Sequence, residues 1–231
     1  MITRFEWVSC LLVNDVRIPA PTKNLYVSES NRARVPVMNP IAQHGEKILR
    51  GPSKIVTNVE ASNVKSIAEK LLKTVVKVNG VGIAANQMRS NLRIFVMASH
   101  PNRRYPYAPR MKPLVLINPI LRANSNKKEK DWEGCLSVPN IRGLVPRWTS
   151  VTVAFTNVKG QKEYRTFKGF LARIFQHEID HLNGLVYLDR MASNKDLYSQ
   201  QEFEKRISNR RASKAAKRHV LDASLIRTPY S

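Results

Sequence analysis

Between residues 60 and 78 the apolar side chains fall at Val64, Ile67, Ala68, Leu71, Leu72 and Val75. Steps of three and four place them on one face of an α-helix, and Asn79-Gly80 supplies its stop. Further along the period shortens. Arg93 to Ala98 and Leu114 to Asn118 are brief apolar runs that read as strands. Val151 to Phe155 and Tyr164 to Phe167 read as two more, joined by a turn at Lys159-Gly160. Gly169 then opens a helix over 170–182, and Gly184 closes it. The remaining stretches are less ordered in pattern. Residues 1–40 mix apolar, proline and polar positions without period and read as an irregular extension, and 41–58 as a turn-rich entry. Asn124 to Lys130 reads as a polar, basic loop. Residues 195–219 read as a long, mostly polar helix with little core to bury, pressed against a partner or free in solvent. The chain thus divides into an extension (1–40), a body (41–190) and a basic C-terminal helix and tail (191–231).

Composition changes this picture in one respect. With 231 residues and 42% hydrophobic content the chain can bury a substantial core. It has no apolar run of the roughly eighteen residues that a membrane span needs. Two cysteines, Cys10 and Cys135, are too few for a disulfide framework. The charge is what stands out: 39 Lys and Arg against 17 Asp and Glu, a net of +22. The excess is +2 over residues 1–40, +14 over 41–189 and +6 over 190–231, so it runs through the body and is not confined to a tail. A polyanion, most commonly nucleic acid, is the natural partner. Between the first two strands lie Arg103, Arg104, Tyr105, Tyr107, Arg110 and Lys112. Tyrosines among cations suit RNA, where bases stack and phosphates pair, and an ordinary solvated loop fits the same residues.

The candidate chemistry sits in the last predicted helix. His177-Glu178-Ile179-Asp180-His181 is a His-Glu-x-x-His pattern. Residues four apart share a helix face, so both imidazoles can point at one metal ion, with Glu178 placed to act as base on a water there. A catalytic metal needs a third protein ligand and an open position. A downstream histidine is ruled out because Tyr187 stands where it would fall, which leaves Glu202, Glu204 or Cys135 as a thiolate. Gly80-Val81-Gly82 lacks the third glycine of a dinucleotide fingerprint.

Three blocks in order, Gly80-Val81-Gly82-Ile83-Ala84-Ala85-Asn86-Gln87, Glu133-Gly134-Cys135-Leu136-Ser137 and His177-Glu178-Ile179-Asp180-His181, resemble the three motifs of the peptide deformylase family, and the similarity extends from about Ile41 to about Arg206. The resemblance implies an α+β fold, with mixed and antiparallel sheets around the central His-Glu-x-x-His helix and a C-terminal helix beyond it. It implies one divalent ion, Fe²⁺ or Zn²⁺, held by Cys135, His177 and His181. It implies hydrolysis of the formyl group from the initiator formyl-methionine of nascent chains. Glu178 would carry the proton from water to the leaving amine. The Gln87 amide and the Leu136 backbone N–H would serve the oxyanion. Phe170 and Ile174, seven and three residues before His177, share its helix face and with Val81 are the candidates for the methionine pocket, while the Gly82 backbone lets an extended peptide lie alongside.

Formyl-methionine initiation belongs to bacteria, mitochondria and plastids. The extension and the charge point to the mitochondrial matrix, with a plastid or bacterial cytoplasm as the alternative. The partner expected is the ribosome, through rRNA or ribosomal proteins. Its contacts would be Arg103 and Arg104 together with Lys205, Arg206, Arg210, Arg211, Lys214, Lys217 and Arg218 along the C-terminal segment. The competing reading is a deformylase-fold structural or assembly subunit of a mitochondrial ribosome; a zinc protease using Glu202 or Glu204 is the third.

Overall fold

A computed structural model of the chain describes residues 12–13, 16–17 and 40–208. Cys10 and the cations from Arg210 to Arg218 lie outside them. The first elements are a short antiparallel pair, β1 (Leu12–Val13) and β2 (Val16–Arg17). Helix α1 follows (Ser62–Lys77), with the six predicted apolar residues on its buried face. The helix ends where Asn79 turns left-handed at φ 51° and the Gly80 N–H reaches back to the Val75 carbonyl.

Five strands form one antiparallel sheet in the order β3 (Gly82–Ala84), β4 (Ile94–Met97), β5 (Leu114–Asn124), β8 (Ser150–Thr156) and β9 (Lys162–Lys168). Side chains alternate across a strand, and here both faces are covered. Ile83, Ile94, Val96, Val115 and Ile117 pack under α1. Ala84, Phe95, Met97, Leu114, Leu116, Val151, Val153 and Phe155 pack against α2 (Gly169–Leu182). Coverage on both sides is why β4 is apolar at successive positions. The second antiparallel sheet has the order β10 (Leu197–Ser199), β7 (Val138–Trp148), β6 (Lys128–Cys135). Helix α2 touches both sheets and is the central element.

Two expectations need correction. The polar stretch from Asn124 to Lys130 is not a long loop, because β5 runs to Asn124 and β6 starts at Lys128. The C-terminal segment does not enter helix at 195. Leu197, Tyr198 and Ser199 pair with Gly143, Arg142 and Ile141 of β7, and a helix, α3, covers 200–208. Nor is that helix without a core face. Phe203 is 3% exposed and its ring stands edge-on to Trp132 at 5.1 Å. Among the described residues no helix is long and apolar enough to cross a membrane.

Candidate active site

Cys135 ends β6 where the β6–β7 hairpin turns, and His177 and His181 rise from α2. One ligand atom from each lies within 4.8 Å of the others. The Cys135 Sγ to His181 Nε2 distance is 3.2 Å. His177 Nδ1 is tied to Glu133 Oε2 at 2.8 Å, which leaves Nε2 for the site, as is usual for a metal-binding histidine. Burial opposes charge on the thiol, but the His181 and His177 rings overcome it and hold Cys135 well below its ordinary value. His177 is held well above its own: burial opposes its charged form, and the hydrogen bonds to Cys135 and Glu133 outweigh that. A sulfur that ionises readily and two imidazole nitrogens at one point are a donor set for Zn²⁺ or Fe²⁺.

Glu178 lies next to this cluster, 4% exposed. Its Oε2 has no hydrogen-bond partner. Burial pushes its carboxyl up to about 7, against the pull of both histidines. A buried carboxyl tuned to that range can exchange protons near neutral pH. Room for it comes from β3. A Cβ on Gly82 would collide with Glu178 Oε1, so the second glycine of Gly80-Val81-Gly82 leaves the carboxylate its place.

Gln87 is in the short 3₁₀ turn Ala85–Met88. Its Oε1 accepts the Ala84 N–H at 2.8 Å. This orients Nε2 toward Ser137 Oγ (3.1 Å) and Cys135 Sγ (3.5 Å). Leu136 follows Cys135 in the hairpin turn, with the Ser137 N–H directed at Sγ at 3.4 Å. Val81, Phe170 and Ile174 line one cavity of 30 Å³ together with His177, Gly134 and Tyr105; Gly82 faces Glu178 instead. Glu202 and Glu204 are elsewhere. Glu202 accepts from Arg206 (2.9 Å), and Glu204 accepts from Gln200 and pairs with Arg103 at 3.6 Å.

Sequence reasoning missed what holds the three donors. Glu133 and Asp180, each with a side chain 4% exposed, share the Arg147 guanidinium. Arg147 binds both Glu133 oxygens, at 2.9 and 3.0 Å, and Asp180 Oδ2 at 2.5 Å. Arg173 adds a bond to Glu133 Oε1 at 2.9 Å and two to the Val145 and Glu129 carbonyls. Arg190 closes the network on Asp180. Burial penalises the Glu133 charge, yet Arg147 and His177 hold its carboxyl far below the usual range. A signal was present: Gln176 and Asp180 follow Arg173 by three and seven residues, a polar stripe beside the His-Glu-x-x-His residues, and all three are buried.

The expected ribosome contacts are only partly free. Arg103 is 86% exposed and lines a groove of 530 Å³ with Arg104 and Lys205. The Arg104 guanidinium is committed to the Val78 and Asn79 carbonyls, and Arg206 lies over the Tyr198 ring at 4.6 Å. In the loop between β4 and β5, Tyr105 turns inward, 7% exposed, while Tyr107 is 51% exposed.

Thiolate and imidazole donors beside an unpaired buried carboxyl on a His-Glu-x-x-His helix define a metal-dependent hydrolase. The comparisons narrow the class. The profile of the polypeptide deformylase family matches residues 38–197. Peptide deformylase 2 of Nostoc sp. is 42% identical over 173 residues, 75% of this chain and 97% of that protein. The crystal structure of Met-Ala-Ser-bound class I type b peptide deformylase from Acinetobacter baumannii superposes with a TM-score of 0.64 at 40% identity, covering 66% of this chain and 97% of that one. The actinonin complex of the Synechococcus elongatus enzyme gives 0.61 at 28% identity, over 76% of this chain and 90% of that one. The chain belongs to the peptide deformylase family and is a metallo-hydrolase of linear amides.

Proposed function

We propose that the chain removes the formyl group from the formyl-methionine of nascent polypeptides, with Cys135, His177 and His181 as ligands of a single Fe²⁺ or Zn²⁺ ion. The observation that carries this is the unpaired Glu178 carboxyl beside three converging donors. Bound there, the ion would polarise the formyl carbonyl and make water a nucleophile near neutral pH. Glu178 takes the proton of the attacking water and delivers it to the leaving amine. The Gln87 Nε2–H and the Leu136 backbone N–H donate to the oxygen that gains charge as the formyl carbon becomes tetrahedral. Val81, Phe170 and Ile174 receive the methionine side chain, and the Gly82 strand edge takes the extended peptide. Met-Ala-Ser, bound in the Acinetobacter relative, is what deformylation of formyl-Met-Ala-Ser leaves behind.

The test uses the purified protein, formyl-Met-Ala-Ser and a readout of formate or free amine. Turnover should vanish on removing the metal with a chelator and return with Fe²⁺ or Zn²⁺. Glu178→Gln should keep the metal while losing about 10²–10⁴-fold in rate, the usual weight of general acid–base catalysis. Near-normal turnover in Glu178→Gln would overturn its assignment as the base.

The address proposed is the mitochondrial matrix, at the ribosome, and what supports it is the net charge of +22, which favours residence on RNA. Residues 1–40 are then the extension, 41–190 the catalytic body and 191–231 the segment that docks. The relatives compared, from cyanobacteria and other bacteria, favour a plastid or bacterial cytoplasm as the second reading. Fractionation of cells that express the tagged full chain separates the two.

A further inference from the structure

Tyr105 is the one wall of the side-chain cavity that comes from the loop between β4 and β5. The others come from β6 (Trp132, Glu133, Gly134), from α2 (Phe170, Arg173, Ile174, His177), or from Val81, just before β3. The loop is held at both ends. The Met111 N–H donates to the Ser99 carbonyl at 3.0 Å and Ser99 Oγ donates to the Pro109 carbonyl at 2.7 Å. Its tip folds on Asn102, whose Oδ1 accepts from the N–H groups of Arg104 and Tyr105. The Tyr105 ring lies 5.0 Å from the Phe170 ring, with Tyr107 packed on both. Arg142 Nη1 reaches the Tyr105 hydroxyl at 3.5 Å, and Arg142 is fixed by Gln200 Oε1 at 2.7 Å and by the Phe203 ring.

The cavity so formed measures 30 Å³. So small a space, with Tyr105 as one wall, leaves a methionine side chain little room beside the ring. The walls on β6 and α2 are tied by the buried Glu133–Arg147–Arg173 network, and the loop tyrosine is held by Phe170, Tyr107 and Arg142, so its ring is a fixed limit on the cavity.

We propose that Tyr105 is a specificity-determining residue: its ring sets the upper size of the first side chain the site accepts, against Phe170 and under Arg142. The proposal rests on the reading of this cavity as the methionine pocket. A linear, thin side chain passes beside the ring. A branched or aromatic one meets it. An apolar pocket typically discriminates by about 10–200-fold for one methylene, and a ring in the way acts on that scale or above it.

The experiment compares kcat/KM for formyl-Met-Ala-Ser and formyl-Phe-Ala-Ser in the metal-loaded full chain. Tyr105→Ala should lower the Met-to-Phe ratio by about tenfold or more, chiefly through KM for the phenylalanine peptide. Tyr105→Phe keeps the ring and should keep the ratio. If Tyr105→Ala fails to fold, Tyr105→Leu tests the same point with an apolar side chain and should shift the ratio the same way. An unchanged ratio in a folded Tyr105→Ala or Tyr105→Leu overturns the proposal. Turnover of formyl-Met-Ala-Ser by the unaltered protein keeps the two readings apart: with it intact and the ratio unmoved, only the role of Tyr105 falls, whereas its absence takes down the pocket reading and this one together.

Discussion

Replacing Arg147 by methionine tests how the proposed metal ligands are held. Methionine keeps most of the apolar stem and removes the charge and every donor. The guanidinium is 5% exposed and serves two carboxylates that are themselves 4% exposed. After its loss Glu133 still has Arg173 and His177, and Asp180 still has Arg190, so neither carboxylate is left wholly unpaired. Removing one partner of a buried ion pair destabilises by about 3–5 kcal/mol, and the surviving partners put this case at the lower end, about 3 kcal/mol. For a domain of this size each kcal/mol moves Tm by roughly 2–4 °C, so a fall of about 6–12 °C is expected in a thermal melt of the metal-loaded protein. Because Arg147 grips both oxygens of the carboxylate that orients His177, metal affinity should fall as well, by about 10–100-fold, in a competition titration with a chromophoric chelator. A Tm within about 2 °C of the unaltered protein, with unchanged metal affinity, would refute the account of the network as the support of the site.

Three further outcomes follow from the geometry. Gly82→Ala puts a methyl against the far end of Glu178; the side chain can swing away, so Tm should hold while kcat drops about 10²-fold, the effect of a misplacement near 1 Å, and unaltered kcat would show that Glu178 does not need that position. Cys135→Ser should weaken metal binding in an elemental analysis of the dialysed protein, and undiminished occupancy would remove the thiolate from the ligand set. Deleting residues 209–231 should reduce salt-sensitive ribosome association in a sedimentation assay yet leave turnover of a free formyl peptide unchanged, whereas a cut at residue 195 also removes β10 and Phe203 and should impair the fold; equal ribosome binding across a salt series after the shorter deletion would place the contact on the body instead.

How legible the molecule was depended on the range of the interactions that shape each part. Helix α1 and the His-Glu-x-x-His turn of α2 were readable because their patterns close within a few residues: six apolar positions on one face, two histidines four apart. β4 was readable because burial on both sides leaves a continuous apolar run. β7 was not found. Pro139, Asn140, Gly143 and Pro146 break its pattern, and Arg142 and Arg147 look like surface charge although both are buried. Their partners, Gln200, Glu133 and Asp180, are distant in sequence, so nothing local marks them. β10 is three residues long and is a strand only because β7 offers it an edge. The inward turn of Tyr105 was equally hidden, since tyrosine among arginines has the composition of a solvated or nucleic-acid-facing loop, and only the Phe170 ring decides the matter.

The late strand β10 and the Phe203 contact have a consequence for the order in which the molecule is made. Synthesis runs from the N-terminus, and structure forms as segments emerge. Cys135 appears first, His177 and His181 later, and the aromatic cover on Trp132 only with Tyr198 and Phe203. Until then the edge of β7 that Leu197–Ser199 will occupy is open, and an open edge invites wrong pairing. The Cys135, His177 and His181 cluster can assemble once residue 181 is out, but the sheet that carries Cys135 is closed only when the final turns of the described chain have followed.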